Sequence, residues 1–389
     1  MRPSLNASLP EPDAAARAHS ERVVAAVRGD IAAAGGFVPF ARYMQLVLYA
    51  PALGYYVAGA RKFGAAGDFV TAPEMTPLFA QALAMPVAAI LAASRSREFV
   101  ELGAGSGALA ADLLNALAAA DAPPSSYRIL EVSPDLRERQ RAAIAQRAPS
   151  QLARVEWIDA VPVTIDGAVV LNEVLDAVPP HLVSRRGECY FERGVAWNDG
   201  LRWDERPLTD PALRALAAER FPAIGDFTSE INPAAEALVE LLARRMAGGA
   251  LLAIDYGFPQ REYYHEQRSD GTLMAHYRHR ALADPFLWPG LADLTAHVDF
   301  TAMALAGERG GLTVVGYGPL AAFLVGAGIL DRLRERGEPT CPAYLREAAA
   351  VQKLLSPAEM GELFKVLALA RSDGIVWPYF AAADRTHRL

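Results

Sequence analysis

The chain has 389 residues, a net charge of −7, 52% apolar residues and 21% charged residues. It is long enough for one large domain with additions or for two, and its composition suits a globular protein with a substantial core. An acidic chain without a basic block argues against nucleic acid as a partner. The two cysteines, Cys189 and Cys341, exclude a disulfide framework or zinc-knuckle spacing. No apolar run reaches membrane-spanning length and no secretory layout is visible at the N-terminus, so no membrane partner is expected and the expected compartment is the cytoplasm.

Residues 1–15, with Pro3, Pro10 and Pro12, read as a tail. The spacing of Val23, Val24, Val27 and Ile31 predicts an amphipathic helix over Ser20–Ala34, stopped by Gly35-Gly36. A second helix is expected over Phe40–Leu48 and a third over Thr76–Leu91. Between them lies a loop rich in glycine, aromatic and acidic residues, Gly54-Tyr55-Tyr56 and Gly64 to Glu74. Phe99–Leu102 then reads as a buried strand, Gly103, Gly105 and Gly107 as a turn stripped of side chains, and Ala108–Ala119 as a helix. Further strands are expected at Tyr127–Val132, Arg154–Ile158 and Ala168–Leu171, with a helix opened by Ser133-Pro134-Asp135 and running to about Gln146. Strands alternating with helices imply a mostly parallel sheet. Leu182 to Arg193 reads as a hairpin about Gly187 that projects from the sheet. A helix over Ala234–Met246 and a buried strand over Ala250–Ile254 follow. Residues 258–294 have little regular pattern and carry Tyr263, Tyr264, His276, Tyr277 and His279; an ordered covering segment is expected there. Helices are expected over His297–Gly307, Leu320–Glu335 and Pro342–Leu355, and strands over Leu312–Gly316, Phe364–Ala370 and Gly374–Trp377.

Strand, glycine turn and helix form the first unit of a nucleotide-binding α/β sheet. Gly103-x-Gly105-x-x-Ala108 satisfies the dinucleotide fingerprint in its Gly-or-Ala form, and Glu131 at the end of the next strand suits ribose hydroxyls. NAD sites and S-adenosyl-L-methionine sites share both features. Three details favour the second. Glu101 lies inside the strand, two residues before the glycines, where a carboxylate opposes a pyrophosphate but suits an ammonium or sulfonium. The rhythm Gly-x-Gly-x-Gly permits close backbone approach. Asn172, Glu173 and Asp176 gather at the carboxyl edge of the fourth strand, where open α/β sheets bind ligands.

Glu-Leu-Gly-Ala-Gly-Ser-Gly resembles motif I of class I S-adenosylmethionine-dependent methyltransferases. Gly54-Tyr-Tyr56, Gly67-Asp-Phe-x-Thr-x-Pro-Glu74, Asn172-Glu-x-x-Asp-Ala-x-Pro179, Ile254-Asp-Tyr-Gly257, Gly271-Thr272 and Asp293-Leu-Thr-Ala-His-Val-Asp-Phe300 resemble segments in the same order in the MidA-like family, over roughly residues 20–370. Val174 stands where the family carries a bulkier residue after Asn-Glu. The family includes the mitochondrial complex I assembly factor that methylates an arginine of a core subunit. The resemblance implies an α/β fold: a Rossmann-like class I methyltransferase sheet, mostly parallel, with an N-terminal helical segment over residues 1–95 and a methyltransferase domain over 96–389. Insertions at about 181–246 and 258–296 would form a covering subdomain. It implies S-adenosyl-L-methionine as cofactor and an arginine of a protein as methyl acceptor.

The candidate cofactor residues are Asp68, Thr71, Glu101, Gly103, Gly105, Gly107, Leu109, Glu131, Val132 and Asn172, with Asp159 as acceptor for the adenine amino group. Asp68, Thr71 and Glu74 would close the pocket from the N-terminal side. Transfer from a sulfonium starts from an activated methyl, so no metal is expected; the protein must align the acceptor and exclude water. A guanidinium is protonated at neutral pH, and carboxylates can grip its fork and leave one nitrogen more nucleophilic. Glu173 and Asp176 are the candidates. Tyr256 and His297 would line the acceptor channel, with His297 able to take a proton near neutrality. Two alternatives stay open on the sequence: a small-molecule methyltransferase, and a cofactor-fold assembly factor that works by binding a partner.

Overall fold

The structure, a computed structural model, describes residues 9–58, 71–223, 225–282, 284–371, 375 and 377–389. Its strands in chain order are β1 (Phe37–Pro39), β2 (Glu98–Leu102), β3 (Ser126–Leu130), β4 (Val155–Ile158), β5 (Ile165–Asn172), β6 (His181–Arg186), β7 (Cys189–Trp197), β8 (Leu201–Pro207), β9 (Phe227–Ile231), β10 (Met246–Phe258), β11 (Met274–Tyr277), β12 (Arg280–Leu282), β13 (Asp293–Thr295), β14 (Val298–Asp299), β15 (Thr313–Pro319) and β16 (Phe364–Ala370).

The central sheet has the order β15-β16-β10-β5-β2-β3-β4, with β14 added beside the end of β10. Strands β4, β3, β2, β5 and β10 run parallel, and β16 runs antiparallel between β10 and β15. This is the mostly parallel α/β sheet that the sequence leads one to expect. Side chains alternate across it with period two. Ala168 and Val170 of β5 and Leu252 and Ile254 of β10 face the helices Pro77–Ala93, Ala108–Ala119 and Leu320–Gly326. Val169, Leu171, Leu251 and Ala253 face the helices Pro233–Arg245 and Phe300–Arg309. Strands buried on both faces read as continuous apolar runs, which is why β5 and β10 are plain in the sequence.

The register aligns one edge. Leu102 pairs with Leu130 on one side and Leu171 on the other, and Ile254 pairs with Asn172. Gly103, Glu131, Glu173 and Asp255, each one residue further on, therefore share the carboxyl edge.

The insertion does more than project. β6 and β7 form the expected hairpin, and with β8, β9 and β1 they build a separate antiparallel sheet. β1 lies in the N-terminal segment that the sequence reads as mainly helical; its three residues are too few to show a period. The helices Ala14–Ala33 and Phe40–Tyr49 pack in one apolar cluster with Leu182, Val195, Ala275 and Leu294. The helix Pro77–Ala93 packs instead on the central sheet. The described residues of 258–294 are arranged around a small sheet, β12-β11-β13.

Three further expectations change. The helix expected from His297 starts at Phe300, because the Asp299 carboxylate caps the N–H groups of Thr301 and Ala302 at 3.1 and 3.2 Å. The helix expected over 320–335 is split at Gly328, which takes a φ of +83°. In place of the strand expected over 374–377, Ile375 and Trp377 stand outside any strand, and residues 372–374 and 376 lie outside the described residues.

Candidate active site

A cavity of about 530 Å³ opens along the carboxyl edge of β2, β3, β5 and β10. One half is made by local sequence. Gly103, Gly105 and Gly107 have φ of +62°, +54° and +83°, conformations that L side chains resist. A Cβ on Gly107 would sit 2.9 Å from Gln140 Cα, so this glycine lets the helix Ala108–Ala119 start hard against the helix Pro134–Arg147. Gly103 and Gly105 line the cavity with bare backbone, and Leu109 and Val132 line it beside them.

Two carboxylates stand over that turn. Glu101 is buried and accepts a 2.7 Å hydrogen bond from the Tyr127 hydroxyl. Burial pushes its carboxyl up to about 7, against the Tyr127 hydrogen bond. Glu131 accepts from the Ser133 N–H and from Gln140 Nε2, both at 2.9 Å, and burial raises its carboxyl too. Gln140 also donates to the Gly105 carbonyl at 3.0 Å and accepts from Trp157 Nε1 at 2.8 Å. It locks glycine turn, acidic residue and β4 together, and sequence reasoning missed it. The signal was there: Leu136, Gln140 and Ile144 form the buried stripe of their helix, and a glutamine on such a stripe needs partners.

The other half is assembled over long sequence distances. Asn172 ends β5, and Nδ2 donates to Glu173 Oε1 at 3.2 Å. Burial first, then the Asp176 charge, push the Glu173 carboxyl up to about 8. Asp176 Oδ2 accepts from the Tyr256 hydroxyl, and burial pushes this carboxyl up to about 6. Asp293 at the start of β13 accepts from the Tyr56 hydroxyl at 2.8 Å, and Tyr49 stacks on Tyr56 with 5.5 Å between ring centroids. Tyr49, Tyr56, Asp293, Met274 and His276 all line the cavity. The Gly-Tyr-Tyr and Asp293–Phe300 segments marked Tyr56 and Asp293 as a pattern without saying what they touch, and nothing in the sequence singled out Tyr49 or Met274.

His297 lines the cavity between Tyr256 and Phe258, with ring centroids 5.3 Å from each. Burial, then Arg268, Lys365 and His276, hold its pKa down to about 4. It is neutral at pH 7, and the expectation that it takes a proton near neutrality is corrected. Asp159 is displaced from its expected role as well. Its side chain is 90% exposed, pairs with Arg137 at 2.6 Å and does not line the cavity. Thr71 lines the cavity, whereas Gly107 supports the turn from behind. Asp68 lies outside the described residues.

Among the described residues, the lining holds five carboxylates (Glu101, Glu131, Glu173, Asp176 and Asp293) and no lysine or arginine. Asn172 Oδ1 and Asp176 Oδ1 are buried without a hydrogen-bond partner among the described residues. A bare-backbone cradle with acidic walls and unpartnered acceptors fits a ligand that brings cations and donors and no phosphate, as S-adenosyl-L-methionine does.

Comparison with known proteins agrees. A family model of S-adenosyl-L-methionine-dependent methyltransferases matches residues 81–318. The chain is 49% identical to a Burkholderia thailandensis protein whose crystal structure is bound to S-adenosyl-homocysteine, with a TM-score of 0.94 over 98% of this chain and 100% of that one. It is 31% identical to the mouse mitochondrial protein arginine methyltransferase NDUFAF7 over 86% of this chain and 81% of the mouse protein. The Caenorhabditis elegans homologue is 29% identical over 86% of this chain and 83% of its own.

Proposed function

Because the chain belongs to this family of S-adenosyl-L-methionine-dependent methyltransferases, we propose that it methylates an arginine side chain of a protein substrate. That it is a methyltransferase using S-adenosyl-L-methionine follows from the family and from the ligand held by its Burkholderia relative. The arginine reading is carried by one observation: beyond the glycine turn, the lining presents Glu173, Asp176 and Asp293 and, among the described residues, no lysine or arginine. The NDUFAF7 relatives, named as protein arginine methyltransferases, support it.

On this reading the glycine turn and Glu101 face the methionine part of the cofactor, Glu131 holds the ribose, and Thr71, Leu109, Val132 and Asn172 complete the pocket. When bound, S-adenosyl-L-methionine supplies a methyl group activated on a sulfonium. Glu173 and Asp176 accept hydrogen bonds from the guanidinium fork, and Asp293, fixed by Tyr56, faces it from the covering segment. An arriving guanidinium favours the ionised form of all three carboxyls. Held this way, its charge is drawn to the gripped nitrogens, and the remaining one is aligned for in-line attack. As the new N–C bond forms and the S–C bond breaks, Glu173 takes the N–H proton. Burial, which pushes its carboxyl up to about 8 in the free protein, favours the protonated form it reaches in that step. His297, neutral, packs the wall of the channel.

The test is tritiated methyl transfer from S-adenosyl-L-methionine to lysate proteins of a strain lacking this gene, followed by acid hydrolysis. Label in methylarginine is the expected result. Label confined to another residue, or to small molecules, overturns the arginine reading and leaves the methyltransferase standing.

A further inference from the structure

β10 runs past the end of β5. The pair closes at Ile254 and Asn172, and the last rung is the Glu173 N–H donating to the Ile254 carbonyl at 2.9 Å. Beyond it, Asp255 Oδ2 accepts three successive backbone N–H groups of the neighbouring turn: Val174 at 3.2 Å, Leu175 at 3.0 Å and Asp176 at 3.3 Å. Asp255 Oδ1 accepts the Tyr256 N–H at 2.9 Å. Successive N–H groups converging on one point make an anion nest. Here the occupant is the chain's own buried carboxylate. The same turn starts with Glu173 at a φ of +54°, a conformation a non-glycine residue keeps only when its surroundings impose it.

We propose that Asp255 is the positioning residue of the acceptor site: it clamps the 173–176 turn and so aims the Glu173 and Asp176 carboxylates at the methyl acceptor. The inference rests on the reading of those two groups as acceptor carboxylates. Asp255 does not line the cavity; its effect passes through the turn.

Two variants disturb the clamp. Asp255→Asn removes one acceptor oxygen, and Asp255→Glu shifts the carboxyl by one methylene. In both, binding of S-adenosyl-homocysteine by calorimetry is expected within about threefold of wild type, with transfer of tritiated methyl to lysate proteins reduced about 100-fold or more. Hydrogen exchange gives a readout independent of any acceptor: the amides of residues 174–176 exchange faster in both variants. Full transfer in Asp255→Asn, or unchanged exchange at 174–176, overturns the proposal. Loss of folding or of S-adenosyl-homocysteine binding in both variants also overturns it, since Asp255 would then serve the fold. Failure of the arginine reading looks different: wild-type label falls on another residue while the exchange result stands.

Discussion

The half of the cavity at the ends of β2 and β3 is built to be complete before any ligand arrives, and the half at the ends of β5 and β10 is not. Around the glycine turn, both Glu131 oxygens have donors and Gln140 is bonded at both ends of its amide. In the other half, Asp176 Oδ1 and His297 Nδ1 are buried without hydrogen-bond partners among the described residues, and the Glu173 and Asp176 carboxyls are pushed up to about 8 and about 6. A satisfied network holds a fixed shape for a ligand that never varies. An unsatisfied one keeps its full electrostatic pull for a group that comes and goes. The two halves should therefore respond differently to damage.

The sharpest test of that division is Glu173→Gln. The amide keeps the side chain's shape and removes the charge and the proton acceptor. Methyl transfer should fall by roughly 10²–10⁴, while S-adenosyl-homocysteine binding measured by calorimetry stays within about threefold. Comparable losses in both measurements would mean that the halves are one site.

Gly107→Val damages the other half. Its Cβ would meet Gln140 Cα at 2.9 Å in a backbone conformation that valine resists. S-adenosyl-homocysteine affinity should drop by about 10- to 100-fold, and transfer should fall with it. Gln140→Ala acts through the same network more gently. Losing the bonds to Glu131 and Gly105 should weaken affinity by about tenfold, on the order of 1–2 kcal/mol, with turnover at saturating cofactor kept near wild type. A turnover defect at saturation would show that the network also reaches the acceptor side.

The same contrast explains what was legible in the chain. The glycine-turn half is local: strand, turn and helix run from Glu98 to Ala119, and their periodicity identifies them. Glu173 and Asp176 could be placed from their position after β5. What could not be read is pairing across the chain. Tyr56 and Asp293 are 237 residues apart, and Val174 and Asp255 are 81 apart; no period or spacing encodes such contacts. β1 was too short to declare itself. Asp159 was misplaced for a different reason: a strand-end carboxylate looks alike whether it meets a ligand or, as here, Arg137 and solvent.

The smallest expected effect is on stability, and it reads the acceptor half without any substrate. A carboxyl whose folded pKa lies above its unfolded value binds its proton more tightly when folded. The folded state is then favoured at low pH, and that advantage is lost as pH rises through the folded pKa. For Glu173 the window runs from about 4.5 to about 8, and for Asp176 from about 3.8 to about 6. The free protein should therefore lose thermal stability between pH 5 and pH 8. Glu173→Gln cannot ionise, so it should match wild type near pH 5 and exceed it at pH 8 by about 1–3 kcal/mol, in melts followed by circular dichroism. The variant that loses the most activity would then be the more stable protein at pH 8, as expected where buried charge is kept for a cationic ligand. Gln140→Ala should show no such crossing, because Gln140 does not titrate; its deficit should be nearly the same at both pH values. Parallel pH profiles for wild type and Glu173→Gln would mean that Glu173 is already ionised and partnered in the free protein, and the distinction between the two halves would fall with it.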